Sequence, residues 1–246
     1  MAPQNSTVDN DEIERFSRIA EEWWDENGKF KPLHRMNPVR LKYIRDAVAA
    51  HYKKDTNAVK CLSGLTLLDI GCGGGLLCEP LSRLGAKVTG IDAAEKNIKV
   101  ASLHAEKMGL DITYECKPAE QMGKATFDVV LAMEIVEHVS DVPTFLKEVS
   151  KLVKPGGILF MSTLNRTAKS YLMAIVGAEY VLRWLPRGTH EWKKFLKPAE
   201  LCAGLRNEGL SIEHMTGAVF NPIGNSWSTN DRDLDVNYML TAKKAA

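Results

Sequence analysis

A short apolar run that ends in a cluster of glycines limits the fold of this chain more than any other feature of its sequence. Residues 65–70 have the composition of a buried strand, and residues 71–75 contain four glycines. Glycine allows positive φ angles and lets the backbone approach a ligand closely. A helix is predicted at 76–84, and its first turn would offer unpaired N–H groups to that ligand. This order of strand, glycine turn and helix is typical of nucleotide-binding α/β folds.

The rest of the central region repeats the alternation of strand and helix. Strands are predicted at residues 65–70, 87–91, 112–116, 127–133 and 158–164, and helices at 76–84, 94–108 and 142–153. Such alternation requires a parallel sheet with both faces covered, and the handedness of crossovers favours a doubly wound sheet. Further strands at 210–216 and 236–242 complete the prediction, which is an α/β, Rossmann-like, mainly parallel sheet of seven strands.

Flanking segments with other patterns divide the chain into four regions. Residues 1–60 form an N-terminal helical extension that serves as a lid, with helices predicted at 11–26 and, beginning at Asn37-Pro38, to residue 52. Residues 61–165 form the ligand-binding core, in which Lys154-Pro155-Gly156-Gly157 is predicted to end a helix. Residues 166–197 form an apolar and basic insert with a helix at 168–185. Residues 198–246, with a helix at 198–208, complete the sheet.

Composition excludes several classes of function. Lys and Arg total 32 and Asp and Glu total 31, so a net charge of +1 argues against nucleic-acid binding through global positive charge. The five cysteines include no CxxC pair, which disfavours a zinc ribbon or a disulfide framework and predicts reduced thiols in the cytoplasm. The N-terminus is polar, so no secretory signal is expected. No apolar stretch approaches the about 20 residues that a spanning helix needs.

Two carboxylates beside the glycine loop distinguish between possible ligands. Asp92 ends the second strand, where an acidic residue of a doubly wound fold binds ribose hydroxyls. A dinucleotide fingerprint needs a small third residue, but Leu76 occupies that position. Asp69, just before Gly71, would repel a pyrophosphate and suits a cationic or amino-bearing ligand. A nucleotide-dependent oxidoreductase is therefore a disfavoured alternative, as is a glycine turn without a ligand.

The glycine loop resembles the S-adenosylmethionine site of class I methyltransferases. The resemblance rests on residues 68–75, Leu-Asp-Ile-Gly-Cys-Gly-Gly-Gly, on Asp92, and on residues 154–157, Lys-Pro-Gly-Gly. It implies that Gly71 and Gly73 line the methionine moiety, and that Asp92 holds the ribose. It also implies that Ala119 and Glu120 flank the adenine. Asp69 remains a candidate cofactor-binding residue because its negative charge suits a cationic ligand.

The flanking residues narrow the resemblance to the ubiquinone biosynthesis O-methyltransferase family. Its N-terminal signature is matched by Phe16 and by residues 20–25, 28–34 and 37–41, and the match extends through 133–139 and 163–166. It implies methylation of polyprenylated catechols such as demethylubiquinol at two steps, contacts of Arg40 and Met133 with S-adenosylmethionine, and other ubiquinone-pathway enzymes as partners. A class I methyltransferase for a different small phenol or acid is one alternative, and a non-catalytic binding protein is another.

A cluster of ionisable residues follows the fourth strand, at the sheet edge where doubly wound folds build their sites. A phenol has a pKa of about 10, so the reaction needs a base or another means of stabilising the phenolate. His138, with Glu137, is the candidate base. Alternatively, Glu134, Glu137 and His138 bind a divalent cation that lowers the phenol pKa, with Mg²⁺ favoured over Zn²⁺ or Mn²⁺. The lone histidines His34 and His190 are not placed in the catalytic set.

Two apolar segments have a second interpretation beside simple packing. Trp23, Trp24 and Phe30 are expected both to pack in a core and to close over the cofactor. The insert at 166–197 combines Tyr171, Trp184 and aliphatic residues with seven basic and two acidic residues. This pattern favours a peripheral anchor on the inner face of a membrane, with a substrate lid or a dimer contact as alternatives.

Overall fold

A mixed sheet of eight strands organises the part of the chain that the computed structural model describes, residues 7–173 and 191–246. The strands are β1 (Thr66–Ile70), β2 (Lys87–Asp92), β3 (Thr113–Cys116), β4 (Phe127–Met133), β5 (Val153–Leu164), β6 (Leu210–Asn221), β7 (Ser226–Asn230) and β8 (Asn237–Lys244). Their order is β3-β2-β1-β4-β5-β8-β6-β7. The first five strands pair in parallel, and β6, β7 and β8 pair antiparallel. The predicted Rossmann-like, mainly parallel fold is confirmed.

The strand that the sequence analysis did not predict is β7, at one edge of the sheet. It pairs with β6 from Asn221 opposite Ser226 to Gly217 opposite Asn230. Its sequence, Ser-Trp-Ser-Thr-Asn, is exposed at four of five positions. A polar edge strand lacks the apolar alternation that marks a buried strand, and the count of seven strands was therefore one too low.

Helices cover both faces of the sheet. They are α1 (Asn10–Arg18), α2 (Lys31–His51), α3 (Cys78–Arg83), α4 (Glu95–Lys107), α5 (Val142–Leu152), α6 (Ala168–Ser170) and α7 (Pro198–Asn207). Side chains alternate across a strand, so adjacent residues of β1 enter different cores. Leu67 packs in a cluster with α2 and α3, whereas Leu68 packs in a cluster with α5 and α7.

Two predicted boundaries in the N-terminal extension were wrong. The helix predicted at 11–26 ends at Arg18 and is followed by a 3₁₀ turn, Ala20–Glu22. The helix expected to begin at Pro38 begins at Lys31 instead, because Pro32 already supplies the proline of the first turn. Pro38 lies inside this helix. Since α2 packs through Ile44 and Val48 into the core, the extension is continuous with the main fold.

The Lys-Pro-Gly-Gly segment belongs to a strand. We expected it to separate helix from strand, but β5 begins at Val153 and runs through the segment. The pairing of β4 with β5 shifts register between Phe127 and Val129, which accommodates the extra residues. Lys154 is fixed there because its Nζ lies 3.0 Å from both carboxylate oxygens of Asp128.

The insert is described only at its two ends. At the first end Tyr171, Leu172 and Met173 follow α6 and are exposed. At the second end a 3₁₀ turn, Trp192–Lys194, leads to Phe195, which is buried. The helix predicted at 168–185 therefore lies mostly outside the described residues. Among the helices that are described, none has the length and hydropathy to cross a membrane.

Candidate active site

A cavity lies at the carboxyl ends of β1, β2 and β4, where the sequence analysis expected a site. Its volume is about 240 Å³, many times the roughly 10–15 Å³ that one water requires, so it is a site for a small molecule. Ten of the predicted site residues line it, namely Arg40, Asp69, Gly71, Gly73, Asp92, Ala119, Met133, Glu134, Glu137 and His138. The structure therefore brings together the two predicted halves, cofactor loop and ionisable cluster, around one space.

The glycine loop is shaped by its own protein neighbours. Gly71 and Gly73 have φ angles of 71° and 53°, which favour glycine. A Cβ atom on Gly71 would overlap the side chain of Ile135, and one on Gly73 or Gly74 would overlap the indole of Trp23. The loop thus needs glycine for packing against the N-terminal extension as well as for its turn.

Asp92 is held in place by three donors. Its Oδ2 accepts from the Gly73 backbone N–H at 3.0 Å, and its Oδ1 accepts from the Ala94 N–H at 2.8 Å and from Asn97 Nδ2 at 3.2 Å. Burial raises the pKa of this carboxyl, and these hydrogen bonds oppose the shift. The carboxylate that the sequence assigns to ribose binding is therefore pre-oriented at the cavity wall.

A buried charge cluster lies behind the loop. Asp69 accepts a hydrogen bond from the Cys78 thiol at 3.2 Å, and burial raises its pKa to about 7 although that bond and Arg40 oppose the shift. Arg40 is 3% exposed, and burial lowers its pKa against the charges of Glu134 and Asp69. Its Nη2 donates to Asn37 Oδ1, but within the described chain its Nε has no hydrogen-bond partner. A buried guanidinium with an unmet donor fits an anionic ligand group.

The predicted adenine segment divides between two roles. Ala119 lines the cavity and is buried. Glu120 does not line it, because its Oε1 accepts from the backbone N–H of Thr7. Met133, at the end of β4, is buried and lines the cavity.

The three candidate metal ligands have separate partners. Both oxygens of Glu134 accept from Asn237 Nδ2, at 3.0 and 3.1 Å. Glu137 Oε2 accepts from Thr163 Oγ1 at 2.8 Å, and Nδ1 of His138 lies 3.2 Å from Glu12 Oε2. Among the described residues, no group of three or more His, Cys, Asp and Glu side chains is arranged to hold a metal ion.

The backbone explains why neighbouring residues diverge. Glu134 has a φ of 55°, a left-handed conformation that costs roughly 1–3 kcal/mol for a residue other than glycine. It turns the chain sharply between β4 and the 3₁₀ turn Val136–His138. The three side chains are close in sequence but do not converge on one point. This arrangement does not fit the predicted metal-binding set.

His138 is surrounded by carboxylates, one of which comes from α1. Burial disfavours its charged form, but the hydrogen bond with Glu12 and the charges of Glu137, Glu12 and Glu134 raise its pKa above the ordinary value. Burial raises the pKa of Glu137. Burial also acts to raise the pKa of Glu12, yet His138, Arg15 and Lys194 hold it below the ordinary value. A carboxylate-oriented imidazole of this kind can accept a proton and be stabilised as the cation.

The aromatic residues of the N-terminal extension cover the glycine loop. Trp23 stacks on Phe30 with ring centroids 3.7 Å apart, and Trp24 Nε1 donates to the carbonyl of Gly74 at 3.0 Å. The backbone carbonyl of Trp23 lies 2.8 Å from His34 Nε2, so His34 has a structural partner. We call residues 7–30, which close this side of the cavity, the lid. His190 lies outside the described residues.

Sequence reasoning predicted a lid but missed the side chains that line the cavity from residues 7–16 and from α4. Thr7, Val8, Asp9, Glu12, Ile13, Phe16 and Asn97 all line the cavity. Glu12 and Phe16 are four residues apart, so they share one face of α1. Asn97 is the third residue of α4, in its first turn and just beyond Asp92. Their helical spacing was visible in the sequence, but the surface that each face contacts was not.

Comparison with known proteins identifies relatives of this arrangement. Residues 68–161 match the family model described as "Methyltransferase domain". The chain is 55% identical to a ubiquinone biosynthesis O-methyltransferase of Brucella anthropi over 98% of both chains. It is 53% identical to one of Chelativorans over 98% of this chain and 96% of the other. It is 52% identical to one of Mesorhizobium japonicum over 99% and 98%.

Solved structures support the fold. Magnesium protoporphyrin IX methyltransferase from Synechocystis, crystallised with bound SAH, has a TM-score of 0.64 at 22% identity, covering 96% of this chain and 94% of that one. The PH0226 protein of Pyrococcus horikoshii has a TM-score of 0.63 at 15% identity, covering 94% and 98%. At these identities the likeness concerns the fold, and it agrees with the strand order described above.

Proposed function

The chain belongs to the ubiquinone biosynthesis O-methyltransferase family, and on that premise we propose that it transfers a methyl group from S-adenosylmethionine to a phenolic hydroxyl of a polyprenylated catechol. The carrying observation is a single cavity that joins the glycine loop and Asp92 to the Glu12–His138 pair. Both O-methylation steps of ubiquinone biosynthesis present the same chemistry to such a cavity, a catechol beside an activated methyl group. We therefore include both steps in the proposal.

The cofactor half of the cavity has a group for each part of S-adenosylmethionine. Asp92 holds the ribose hydroxyls, and Arg40 binds the carboxylate of the methionine moiety through its unmet Nε donor. Gly71, Gly73 and Met133 form the wall beside that moiety, and Asp69 contributes negative charge near the amino group or sulfonium. Ala119 contacts the adenine, while Glu120 supports this segment through Thr7.

The acceptor half has a base and its supports. S-adenosylmethionine supplies an activated methyl group, so the protein has to align the phenol and remove its proton. His138 accepts that proton. The carboxylates of Glu12 and Glu137 stabilise the imidazolium that results, and the hydrogen bond of Thr163 fixes Glu137. Phe16, whose ring centroid lies 5.4 Å from that of His138 in an edge-on arrangement, forms an apolar wall for the phenol.

The lid keeps water out of the reaction. Trp23 and Phe30 close the cavity above the glycine loop, and Thr7 ties the start of the lid to the core by accepting from the Ser140 N–H at 2.9 Å. Exclusion of water strengthens the electrostatic contacts with the phenolate and prevents hydrolysis of the donor.

Binding of magnesium or another divalent cation would require the ionisable cluster to rearrange. Glu134, Glu137 and His138 would have to leave Asn237, Thr163 and Glu12 to bind it. No step above depends on a metal. Transfer that is abolished by a chelator and restored by Mg²⁺ would demonstrate this rearrangement, whereas transfer that survives chelation assigns the proton to His138 alone.

We also propose that the insert docks on a membrane that holds the polyprenyl substrate. The first of its two described ends exposes Tyr171, Leu172 and Met173, which supports an apolar contact. Several of its basic residues, however, have partners within the protein. Arg166 pairs with Glu200, Lys169 with Asp233 and Asp235, and Lys194 with Asp9. Charge attraction to lipid therefore rests on the other basic residues of 166–197.

The test is methyl transfer to short-chain and long-chain demethylubiquinols under reducing conditions. We expect transfer to both, with S-adenosylhomocysteine as the second product and no binding of NAD by calorimetry. Absence of transfer to any polyprenylated catechol would overturn the substrate assignment. Transfer only to small phenols without a tail would favour the alternative of a class I methyltransferase with another acceptor.

A further inference from the structure

One buried amide connects the lid to the ribose-binding carboxylate. Asn97, in the first turns of α4, is 3% exposed. Its Oδ1 accepts from the indole Nε1–H of Trp23 at 2.9 Å, and its Nδ2 donates to Oδ1 of Asp92 at 3.2 Å. Trp23, itself 7% exposed, thereby reaches Asp92 through a single side chain.

The two partners fix the direction of this amide. An indole N–H only donates and a carboxylate only accepts, so a group between them must accept on one side and donate on the other. An amide does both, whereas an aspartate in this place would set two carboxylates against each other. The hydrogen bonds therefore specify the orientation of the Asn97 side chain and the residue type.

The same residues contact the glycine loop from two sides. The Trp23 ring lies over Gly73 and Gly74, since a Cβ on either would overlap it. Asp92 accepts from the backbone N–H of Gly73. The lid, the loop and the carboxylate consequently form a closed circuit of contacts that passes through Asn97.

We propose that Asn97 is a positioning residue that couples closure of the lid to occupation of the ribose site. When ribose hydroxyls engage Asp92, the carboxylate, Asn97 and Trp23 are fixed together, and lid movement is reduced. This inference rests on the proposed function, because it takes S-adenosylmethionine as the ligand of Asp92. It adds a residue and a coupling that the reaction itself does not require.

The test is a double-mutant cycle with Trp23→Phe and Asn97→Ala, read by calorimetry with S-adenosylhomocysteine. Trp23→Phe keeps an aromatic ring over the loop but replaces the bicyclic indole with a single ring that has no N–H donor. We expect each single variant to bind about tenfold more weakly, as for loss of a hydrogen bond in a charged network. The double variant should bind no more weakly than the poorer single variant, because both changes break one circuit.

A second measurement guards against simple misfolding. Hydrogen exchange of backbone amides in residues 10–22 should slow when S-adenosylhomocysteine binds to the wild-type protein and to Glu14→Gln, a control on the exposed face of α1. That slowing should be lost in Trp23→Phe and Asn97→Ala. Circular dichroism of each variant establishes that the fold is retained.

The outcomes separate this inference from the proposed function. If the wild-type protein binds no S-adenosylhomocysteine, the proposed function fails, and the inference about Asn97 fails as well. The wild type can bind S-adenosylhomocysteine while the role of Asn97 is overturned. That follows if the affinity loss of the double variant equals the product of the two single losses, or if S-adenosylhomocysteine still slows amide exchange in both single variants.

Discussion

Oε2 of Glu12 lies 3.2 Å from Nδ1 of His138, so a helix at the start of the chain carries the partner of a histidine beyond the fourth strand. Lys194, from the end of the insert, lies 3.0 Å from Asp9 and 3.9 Å from Glu12. The proposed base is thus completed by a segment that has to close over the substrate. When the lid covers the cavity, Glu12 raises the pKa of His138, so closure changes the basicity of His138 as well as access to it.

The pH dependence of transfer should report this pair. His138 must be neutral to accept a proton, and its pKa is raised, so kcat/KM should rise with pH through a midpoint above about 6.5, the ordinary histidine value. Glu12→Gln removes the hydrogen-bonded anion, which lowers the pKa of His138. The midpoint should therefore move to lower pH while kcat falls about tenfold.

Glu14→Gln, on the exposed side of the same helix, is the matched control and should leave the profile in place. A Glu12→Gln variant with the wild-type midpoint and kcat would show that His138 does not depend on Glu12. His138→Ala should lose at least about a hundredfold in kcat, the usual contribution of a general base.

Arg40 should act on only one end of the cofactor. Arg40→Lys keeps the charge but loses the Nε donor and the planar fork, so S-adenosylhomocysteine should bind about tenfold more weakly. Methylthioadenosine, which lacks the carboxylate, should bind within about twofold of its wild-type affinity, because it never engages this group. Calorimetry measures both ligands.

Arg45→Lys, farther along α2, provides the control, since Arg45 pairs with Asp46 near the surface. Equal losses for both ligands in Arg40→Lys would mean that Arg40 supports the fold of the site rather than the carboxylate. An unchanged affinity for both would remove Arg40 from the site.

Gly73 should be more sensitive to a side chain than a glycine with similar backbone geometry. Gly109 has a φ of 65° and open space where a Cβ atom would lie, whereas Gly73 has a φ of 53° and faces Trp23. Gly109→Ala should lower the free energy of unfolding by about 1 kcal/mol through backbone strain alone. Gly73→Ala should cost roughly 1–3 kcal/mol more because it also displaces the indole.

Urea denaturation of the two variants measures this difference directly. Equal losses would indicate that Trp23 moves away without cost. In that case the lid would not rest on the glycine loop in solution.

Binding to anionic liposomes should depend on the insert. Replacing Arg183, Arg187 and Lys193 with Glu should lower the affinity measured by co-sedimentation about a hundredfold, since each basic residue near a lipid surface contributes about 1 kcal/mol. Lys194 is left unchanged because its partners are Asp9 and Glu12 of the lid. The control variant replaces Lys87, Lys99 and Lys124 with Glu. These lysines are exposed on other parts of the surface, and the change in net charge is the same. Equal binding by both triple variants would exclude docking through the insert.

The sequence predicted the sheet and the position of the site because these depend on local patterns. Buried runs ending in Gly71, Asp92 and Glu134 meet at one sheet edge by the geometry of parallel strands. The partners Glu12 and Asn97 were not predicted, because their roles depend on contacts between distant segments. The metal set was inferred from sequence spacing, and the left-handed turn at Glu134 directs those side chains to different partners. The polar edge strand carried no periodic signal at all.

The lid is attached to the core at two separate points, by Thr7 to Ser140 and by Trp24 to Gly74. Because the lid is held at two points, it cannot open by rotating about a single hinge. Departure of the spent donor therefore requires several hydrogen bonds to break together. Breaking them adds to the barrier for product escape, a step that limits turnover in many enzymes whose loops close over the substrate. Variants that weaken these attachments should release the spent donor faster while they also make the donor bind less tightly.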